Sequence, residues 1–475
     1  MAQSTTDGRG RSLQAPGAPL ADAVLVGGAV RDRLLGREPL DHDWLVSDPA
    51  GTAQALALVL GGTAFALDDG RGHWRVVAGT VTHDLTPPTP GGAGADPRDA
   101  DVLERDLRGR DLTINAMAAM PDGRVIDPTG GRDDLARRLV RATSREALEA
   151  DTVRAWRAVR FGAELGARID PATTAWIMEL SRAFAAGRPL PAAERVRDEL
   201  EATLATPVAG RAMQALDDLG LLGCVLPELT AGRGVEQPAF HHLDVLQHQL
   251  EALQQLVEAF PDADLALRWA TLLHDAGKPS TAEHDDFEGG RVRFHGHDRV
   301  GAVLAARALR RLRLPRERVE RVAALVRAHM RQLPKGERAA RRFVHRLRPL
   351  LPDLLRLMVA DREAARGPLA SQAQRRRYRL ALAEVVRLLE ETPPRPPLLR
   401  GEDVMRLLGI SPGPDVGRAL RAVEEAHALG DVDDREQAEA YLLRLAAAQG
   451  WGAGVDGEDD GDDAAHDDHD ARGGS

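Results

Sequence analysis

The stretch Val24–Asp48, VLVGGAVRDRLLGREPLDHDWLVSD, restricts what this chain can become more than any other part of it. A short apolar run ends in Gly27–Gly28, a helical stretch AVRDRLL follows, and a second strand opens on Asp41–His42–Asp43. Strand, tight turn, short helix and strand together predict an α/β layer and not a helical bundle. Glycine at such a turn lets backbone N–H groups come close to a phosphate, and a helix start favours negative charge there. Alternate residues of a strand share a face, so Asp41 and Asp43 converge. Two carboxylates that close repel unless a cation lies between them, and hard oxygen ligands suit Mg²⁺. Asp84, in the later strand VTHDLT, supplies a third carboxylate if the strands are neighbours. Each half also has an ordinary meaning: a strand–helix corner, and a solvated strand face.

At 475 residues the chain exceeds what one core can organise. Residues 1–20 are rich in Gly, Ser and Pro and read as a flexible arm. Over 21–140, ADAVLVGG, DHDWLVSD, HWRVVAGTVTHDLT and GRVIDPTG read as strands, AVRDRLL and AQALALVL as helices, and TPPTPGGAGADPRDAD as a loop. Beyond about 140 strand signals nearly vanish and helical spacing takes over. The expected organisation is a head at 21–140, a helical neck at 141–235, a histidine-rich helical region at 236–395 and a C-terminal helical segment at 396–450. Residues 451–475 form a low-complexity acidic tail, expected to be disordered. With only 3% aromatics, Leu, Ala and Val must fill the cores. From Val455 to Ser475 there are nine acids and one arginine, so most of the net charge of −10 lies in the tail. The near-neutral remainder is compatible with an RNA-binding face. Lys278 and Lys335 are the only lysines among 63 basic residues, a composition bias that runs through the whole chain. The single cysteine, Cys224, excludes an internal disulfide and a four-cysteine zinc site. The N-terminus lacks the apolar core of a signal peptide, and no apolar run approaches a membrane span, so a cytoplasmic location is expected.

GGAVRDRLLG…DHDWLV, RDLTINAMA at 110–118 and DTVRAWRAVRF at 151–161 occur in an order that resembles the class II tRNA nucleotidyltransferase and poly(A) polymerase family. The similarity runs from about Ala23 to Leu204. It implies a DNA polymerase beta-like head with a mixed sheet, followed by all-α neck, body and further domains. It also implies that Gly27, Gly28, Arg31 and Asp32 bind phosphate, that Asp41 and Asp43 hold Mg²⁺, and that Arg110, Asp111 and Asn115 fall in the motif that contacts the nucleotide sugar and orders the head. Asp84 joins the catalytic carboxylates on the strand reading alone. The implied activity is template-independent addition of CCA to the 3′ end of tRNA from CTP and ATP, with release of pyrophosphate. Asp151 and Arg154 stand three apart on an expected helix and so share a face. A carboxylate accepts from an amino group and a guanidinium donates, a pairing that favours cytosine and adenine over uracil. Arg157 and Arg160 on the same stretch join the nucleotide-binding set. In ERVRDELEATL, Glu194, Arg195 and Glu199 match a further motif and are read as packing support. Two departures stand out: Ala150 replaces the glutamate usual before the aspartate, and a Pro/Gly-rich stretch follows Asp84 where the family has a longer loop linked to switching from C to A. The second departure raises the alternative of an enzyme that adds only CC. A-only addition, poly(A) polymerase and a phosphohydrolase with an inactive head are further alternatives.

AFHHLDVLQHQLEAL, ATLLHDAGKPST, FHGHDRVGA, VRAHMRQ and VADREAA resemble an HD-type metal domain over roughly 239–365. His274 and Asp275 form the defining pair, with His297, His329 and Asp361 completing a site. His241, whose spacing to Val245 fits the family's pattern, is favoured over His242 as first ligand. Imidazole and carboxylate together suit Mn, Fe, Ni or Zn. Two readings stay open: a phosphohydrolase acting on RNA ends, and a metal-stabilised body domain. Arginines from Arg307 to Arg348, including Arg310, Arg311, Arg341 and Arg342, are candidates for phosphate contacts that position RNA.

Overall fold

The computed structural model describes residues 19–451 except 69, 90, 238–242, 286–290, 366–371 and 394. The expected arm up to residue 18, most of the acidic tail and His241 therefore lie outside the described residues. The chain divides into two compact units, one of residues 1–330 and 353–370, the other of 331–352 and 371–475.

The first unit opens with the expected α/β layer. Seven strands, β1 (Val24–Val26), β2 (Asp41–Leu45), β3 (Thr63–Asp68), β4 (His73–Ala78), β5 (Val81–Thr86), β6 (Ala118–Ala119) and β7 (Val125–Ile126), form one sheet in the order β3-β4-β5-β2-β1-β6-β7. The β2–β5 pair is parallel and the other neighbours are antiparallel, so the sheet is mixed as expected. Helices α1 (Gly28–Leu34) and α2 (Pro49–Leu60) contribute Ala29, Val30, Ala53 and Leu56 to one core with Leu25, Trp44 and Leu85. Helix α3 (Ala100–Arg108) buries Leu103 and Leu107 on the other face, against Val24, Val26 and Leu45. This alternation is the period of two made visible, and it puts Asp41 and Asp43 on the face of Leu45. Truncating the buried Trp44, 1% exposed, to alanine would cost about 3–5 kcal/mol.

The sequence reading needs refinement here. HWRVVAGTVTHDLT is a hairpin of two strands turning at Gly79–Thr80. TAFALD is an additional strand, pairing antiparallel with β4. Leu20, assigned to the arm, is fully buried in the head core. The expected loop ends where Asp99 caps α3, its carboxylate accepting from the N–H groups of Asp101 and Val102 at 3.0 Å. The remainder of this unit is mainly helical, as expected, with a parallel pair of two-residue strands and a short antiparallel ribbon. The second unit packs helices Gly401–Leu408, Pro414–Leu429 and Arg435–Gln449 around Leu399, Val404, Ala419, Val423 and Leu442. Among the described residues, no helix is long and apolar enough to cross a membrane.

Candidate active site and metal centre

Gly27 makes the turn out of β1 with φ 72° and ψ −137°, a conformation that costs residues with a side chain. Its N–H donates to the Met117 carbonyl at 3.1 Å. A Cβ at this position would lie 3.1 Å from both Arg110 Nη1 and Asp43 Oδ2. Glycine is therefore required twice, by the backbone and by the two charged side chains closing over it.

Around this turn lies a cavity of about 500 Å³. Gly27, Gly28, Arg31, Asp32, Asp41, Asp43, Arg110, Asp111, Asn115, Asp151, Arg154, Arg157 and Arg160 all line it. These are all the head and neck candidates named from sequence except Asp84. Arg31 is buried, donating to Asn115 Oδ1 at 2.6 Å and to both Asp32 oxygens at 3.0 and 3.1 Å. Asn115 donates in turn to Asp111, whose Oδ2 lies 2.5 Å from Arg157 Nε. Arg160 is held by Glu199 at 2.5 Å and Glu164 at 2.8 Å, and sits 4.0 Å over the Phe161 ring. The wall thus carries several fixed guanidinium groups, the geometry suited to a chain of phosphates. Burial first, with Asp84 and Asp41 adding, pushes the Asp43 carboxyl above its usual range, although Arg110 opposes. A carboxyl raised this way next to a second one is what a divalent cation would relieve, so the pair fits Mg²⁺.

Asp84 stands beside Asp43 in the parallel β2–β5 register but faces another partner. Arg75, directly opposite on β4, donates to both its oxygens at 2.6 and 2.7 Å. The structure does not bring Asp84 to the cavity lining. Asp41 accepts from the Thr82 hydroxyl. On the opposite face His42 stacks on His83, ring centroids 4.9 Å apart, and Trp44 Nε1 donates to His83 Nδ1 at 3.1 Å. Burial, His83 and Arg33 push His42 down to about 4, so it stays neutral between the two aspartates.

The Asp151–Arg154 pair differs from the expectation in two respects. Asp151 does not share a helix with Arg154 but follows Arg145–Ala150 in extended backbone, ahead of the helix Arg154–Leu165, and Arg154 is engaged elsewhere. Arg154 and Asp151 come only within 3.9 Å. Arg154 Nη1 instead donates to the carbonyls of Gly109, Arg110 and Ala147 at 3.0, 3.2 and 2.9 Å. Arg195 holds Asp151 with two parallel bonds of 2.9 and 2.7 Å and itself lines the cavity. Sequence reasoning placed Arg195 as packing support and missed this contact. Its spacing on the helix Ala193–Leu204 gave no sign of reaching Asp151, 44 residues earlier.

The histidine centre forms where five helices meet. His274 ends Leu265–Leu273, His297 begins His297–Arg311 and His329 ends Arg316–Ala328. His248 lies within Val245–Ala259 and Asp361 within Asp353–Ala364. His274, His297 and His329 each direct Nδ1 to a carbonyl three residues earlier, at 2.8, 2.7 and 2.6 Å. An Nδ1–H donated this way leaves Nε2 as the inward-facing lone pair, the tautomer a metal takes. The Nε2 atoms of His297 and His329 are buried without a hydrogen bond, 3.4 and 3.5 Å from Asp275 Oδ1. His248 Nε2 lies 2.9 Å from Asp361 and 3.3 Å from His274 Nε2. The donor set fits one or two cations of the transition-metal kind. Without a cation, burial pulls His274 down, but Asp275 and Asp361 outweigh it and push it up to about 10. Gly277 permits this assembly, since a Cβ there would meet His297 O at 2.2 Å and Gly301 N at 2.6 Å. The sequence reading missed His248; a histidine inside an otherwise apolar helix face was the available signal.

A mixed-sheet head with a paired-aspartate cavity, closed by a helical neck, defines a nucleotidyltransferase. The family described as Poly A polymerase head domain matches residues 23–141. Residues 168–232 match the family described as probable RNA and SrmB-binding site of polymerase A, and 245–366 match the HD domain. An A-adding tRNA nucleotidyltransferase of Deinococcus radiodurans is 53% identical, covering 89% of this chain and 95% of that protein. A CC-adding tRNA nucleotidyltransferase of Thermus thermophilus is 44% identical, with 89% and 93% covered. A multifunctional CCA protein of Nitrosococcus oceani is 33% identical, with 73% and 81% covered. The CCA-adding enzyme of Bacillus stearothermophilus, solved with CTP, shares the fold with a TM-score of 0.61 at 24% identity, covering 92% and 99% of the two chains. The chain belongs to the tRNA nucleotidyltransferase and poly(A) polymerase family, and it is an enzyme of the tRNA nucleotidyltransferase class.

Proposed function

We propose that this enzyme completes part of the tRNA 3′ end, adding the terminal adenosine from ATP to a tRNA that already ends in CC. The observation that carries the finer reading is the 53% identity to an A-adding enzyme over 95% of that enzyme's length. The chemistry is attack of the RNA 3′-oxygen on the α-phosphorus. A new P–O bond forms there, the bond to the β-phosphate oxygen breaks, pyrophosphate departs and the hydroxyl proton is lost to solvent. Asp41 and Asp43 would hold Mg²⁺, which supplies charge stabilisation at the reacting phosphate and lowers the cost of deprotonating the attacking hydroxyl. The chain's own residues do the positioning. Arg31, Arg110 and Arg157 hold the phosphates, Asn115 and Asp111 order the sugar side, and Asp151 with Arg154 meets the amino edge of the base. The Arg75 pair keeps Asp84 as a charge-balancing neighbour and not as a ligand. In the HD centre His248, His274, Asp275, His297, His329 and Asp361 would hold a transition metal, whose bound water is suited to phosphoester hydrolysis.

A second reading, CC addition from CTP, is favoured by the Pro/Gly-rich stretch after Asp84 and by the 44% identity to a CC-adding enzyme. One experiment separates them. Two tRNA transcripts, one ending at the discriminator base and one ending in CC, are incubated with Mg²⁺ and CTP, ATP or both. One-nucleotide growth of the CC-ending transcript with ATP, and none of the other, is the expected result. Two-nucleotide growth of the discriminator-ended transcript with CTP would replace this reading by the second. Three-nucleotide growth with both nucleotides would mean a full CCA enzyme.

A further inference from the structure

The second unit contains a cavity of about 310 Å³ that the nucleotidyl-transfer reaction does not use. This volume is at the lower end of the range of small-ligand pockets, about 300–1,000 Å³. It lies between the helix Glu337–Leu347 with the turn after it, residues Thr392, Pro393, Arg395, Pro396 and Pro397, and the end of the helix Pro414–Leu429. Its lining combines two kinds of residue. Basic groups are Arg341, Arg348 and Arg395 with His345 and His427. Apolar ones are Pro349, Pro393, Pro396 and Pro397 with Val344 and Ala428.

Several groups here are not committed elsewhere. No hydrogen bond is made by the ring nitrogens of His345 or His427 among the described residues, although His427 is only 8% exposed. Arg395 has one long contact, 3.5 Å to Asp433. Arg348 donates one nitrogen to the Thr392 carbonyl, which fixes its guanidinium at the cavity wall. Arg341 donates to Glu337 of its own helix and also interacts electrostatically with Glu384. Burial and the neighbouring Arg395 push His427 below its usual value, against Asp433. Among the described residues, Glu424 is the single carboxylate in the lining.

Fixed guanidinium groups recognise phosphate oxygens, and rigid proline faces accept a flat ring without loss of side-chain entropy. A carboxylate at the edge accepts from an exocyclic amine. We infer that this cavity is a second nucleotide site, taking one nucleoside phosphate with an amino-bearing base. The ligand comes either as a free nucleotide or as an unpaired nucleotide of bound RNA; the second source rests on the tRNA reading above, the first does not.

The test uses the full chain and AMP as probe, with Arg395→Glu and His427→Ala as variants. Arg395 is exposed, so its reversal leaves folding intact, and thermal melting checks both proteins. Equilibrium titration should give an AMP site that Asp151→Ala leaves in place and that Arg395→Glu weakens at least fivefold. Steady-state addition to a CC-ending tRNA transcript supplies the second arm. A KM for tRNA raised at least fivefold at unchanged kcat assigns the site to an RNA nucleotide. Weakened AMP binding with an unchanged KM for tRNA assigns it to a free nucleotide. If both folded variants keep wild-type AMP binding and wild-type KM for tRNA, the inference is wrong. This holds even if the enzyme turns out to add CC, since the variants are then read with CTP on the discriminator-ended transcript.

Discussion

Replacing Gly27 by alanine should damage the enzyme in two separable ways. The backbone there has φ 72° and ψ −137°, and holding an alanine in such a region costs about 1–3 kcal/mol. The added Cβ would also stand 3.1 Å from Arg110 Nη1 and from Asp43 Oδ2. Arg110 cannot swing away freely, because its Nε donates to Asp106 at 3.0 Å. Relief must therefore come from Asp43, displaced by a few tenths of an ångström. Since misplacing reacting groups by about 1 Å costs on the order of 10²-fold, a shift of that size should lower kcat about tenfold. Gly28→Ala is the control: its Cβ would lie 3.5 Å from Arg31 Nη2, an ordinary contact, with no positive φ to support. The assay is single-turnover extension of a labelled CC-ending tRNA at saturating ATP, beside urea unfolding of each variant. The expected pattern is a Gly27→Ala protein that is less stable and slower, and a Gly28→Ala protein within about 0.5 kcal/mol of the parent. Equal stability of the two variants, or a Gly27→Ala enzyme with parental rate, would refute the reasoning.

Asp43→Asn should lower the rate of nucleotide addition on the order of 10²–10³-fold, the scale of losing one group that stabilises transition-state charge, with tRNA binding retained in a gel-shift assay. The same change should raise the melting temperature of cation-free protein near neutral pH. Asp43's carboxyl is raised above its usual range by burial, so keeping it ionised costs stability; the gain should shrink as the pH is lowered through that raised value. Arg195→Ala should shift the ratio of kcat/KM for ATP over CTP. Arg195 is more than half exposed, so screening limits the effect to about fivefold. Arg195→Lys should recover little of it, because an ammonium cannot make both bonds to Asp151. Gly277→Ala forces backbone apart beside His297. It should remove tightly bound transition metal, read by elemental analysis, while Mg²⁺-dependent addition continues; full metal content would count against the site.

What could be read from sequence was local. Gly27–Gly28 with Asp41 and Asp43 was legible because a strand's period of two and a turn's need for glycine operate within a few residues. The Arg75–Asp84 pair was hidden by treating HWRVVAGTVTHDLT as one strand. A turn at Gly79–Thr80 sets a register in which Arg75 faces Asp84 directly, so the signal was present in the glycine. TAFALD was missed because an edge strand with most of its residues exposed shows no apolar alternation. Arg195 and His248 depend on how helices pack, at separations of 44 and 113 residues from their partners. No periodicity reports such contacts. The HD pair was readable because its ligand types crowd into short motifs, whereas the order in which they meet follows from the helix bundle.

Arg154 spends one nitrogen on three carbonyls, two from the segment that follows α3 and one from Ala147. A nucleic-acid template advances by one step for each unit copied. Under the proposed assignment of Arg154 to the base, the reader is bolted to the same frame as the aspartate pair and has no stride. The RNA terminus would then retreat after an addition while the reading surface stays where it was. Such a fixed die would stamp one shape well, in keeping with the proposal that this enzyme is one worker on a short assembly line.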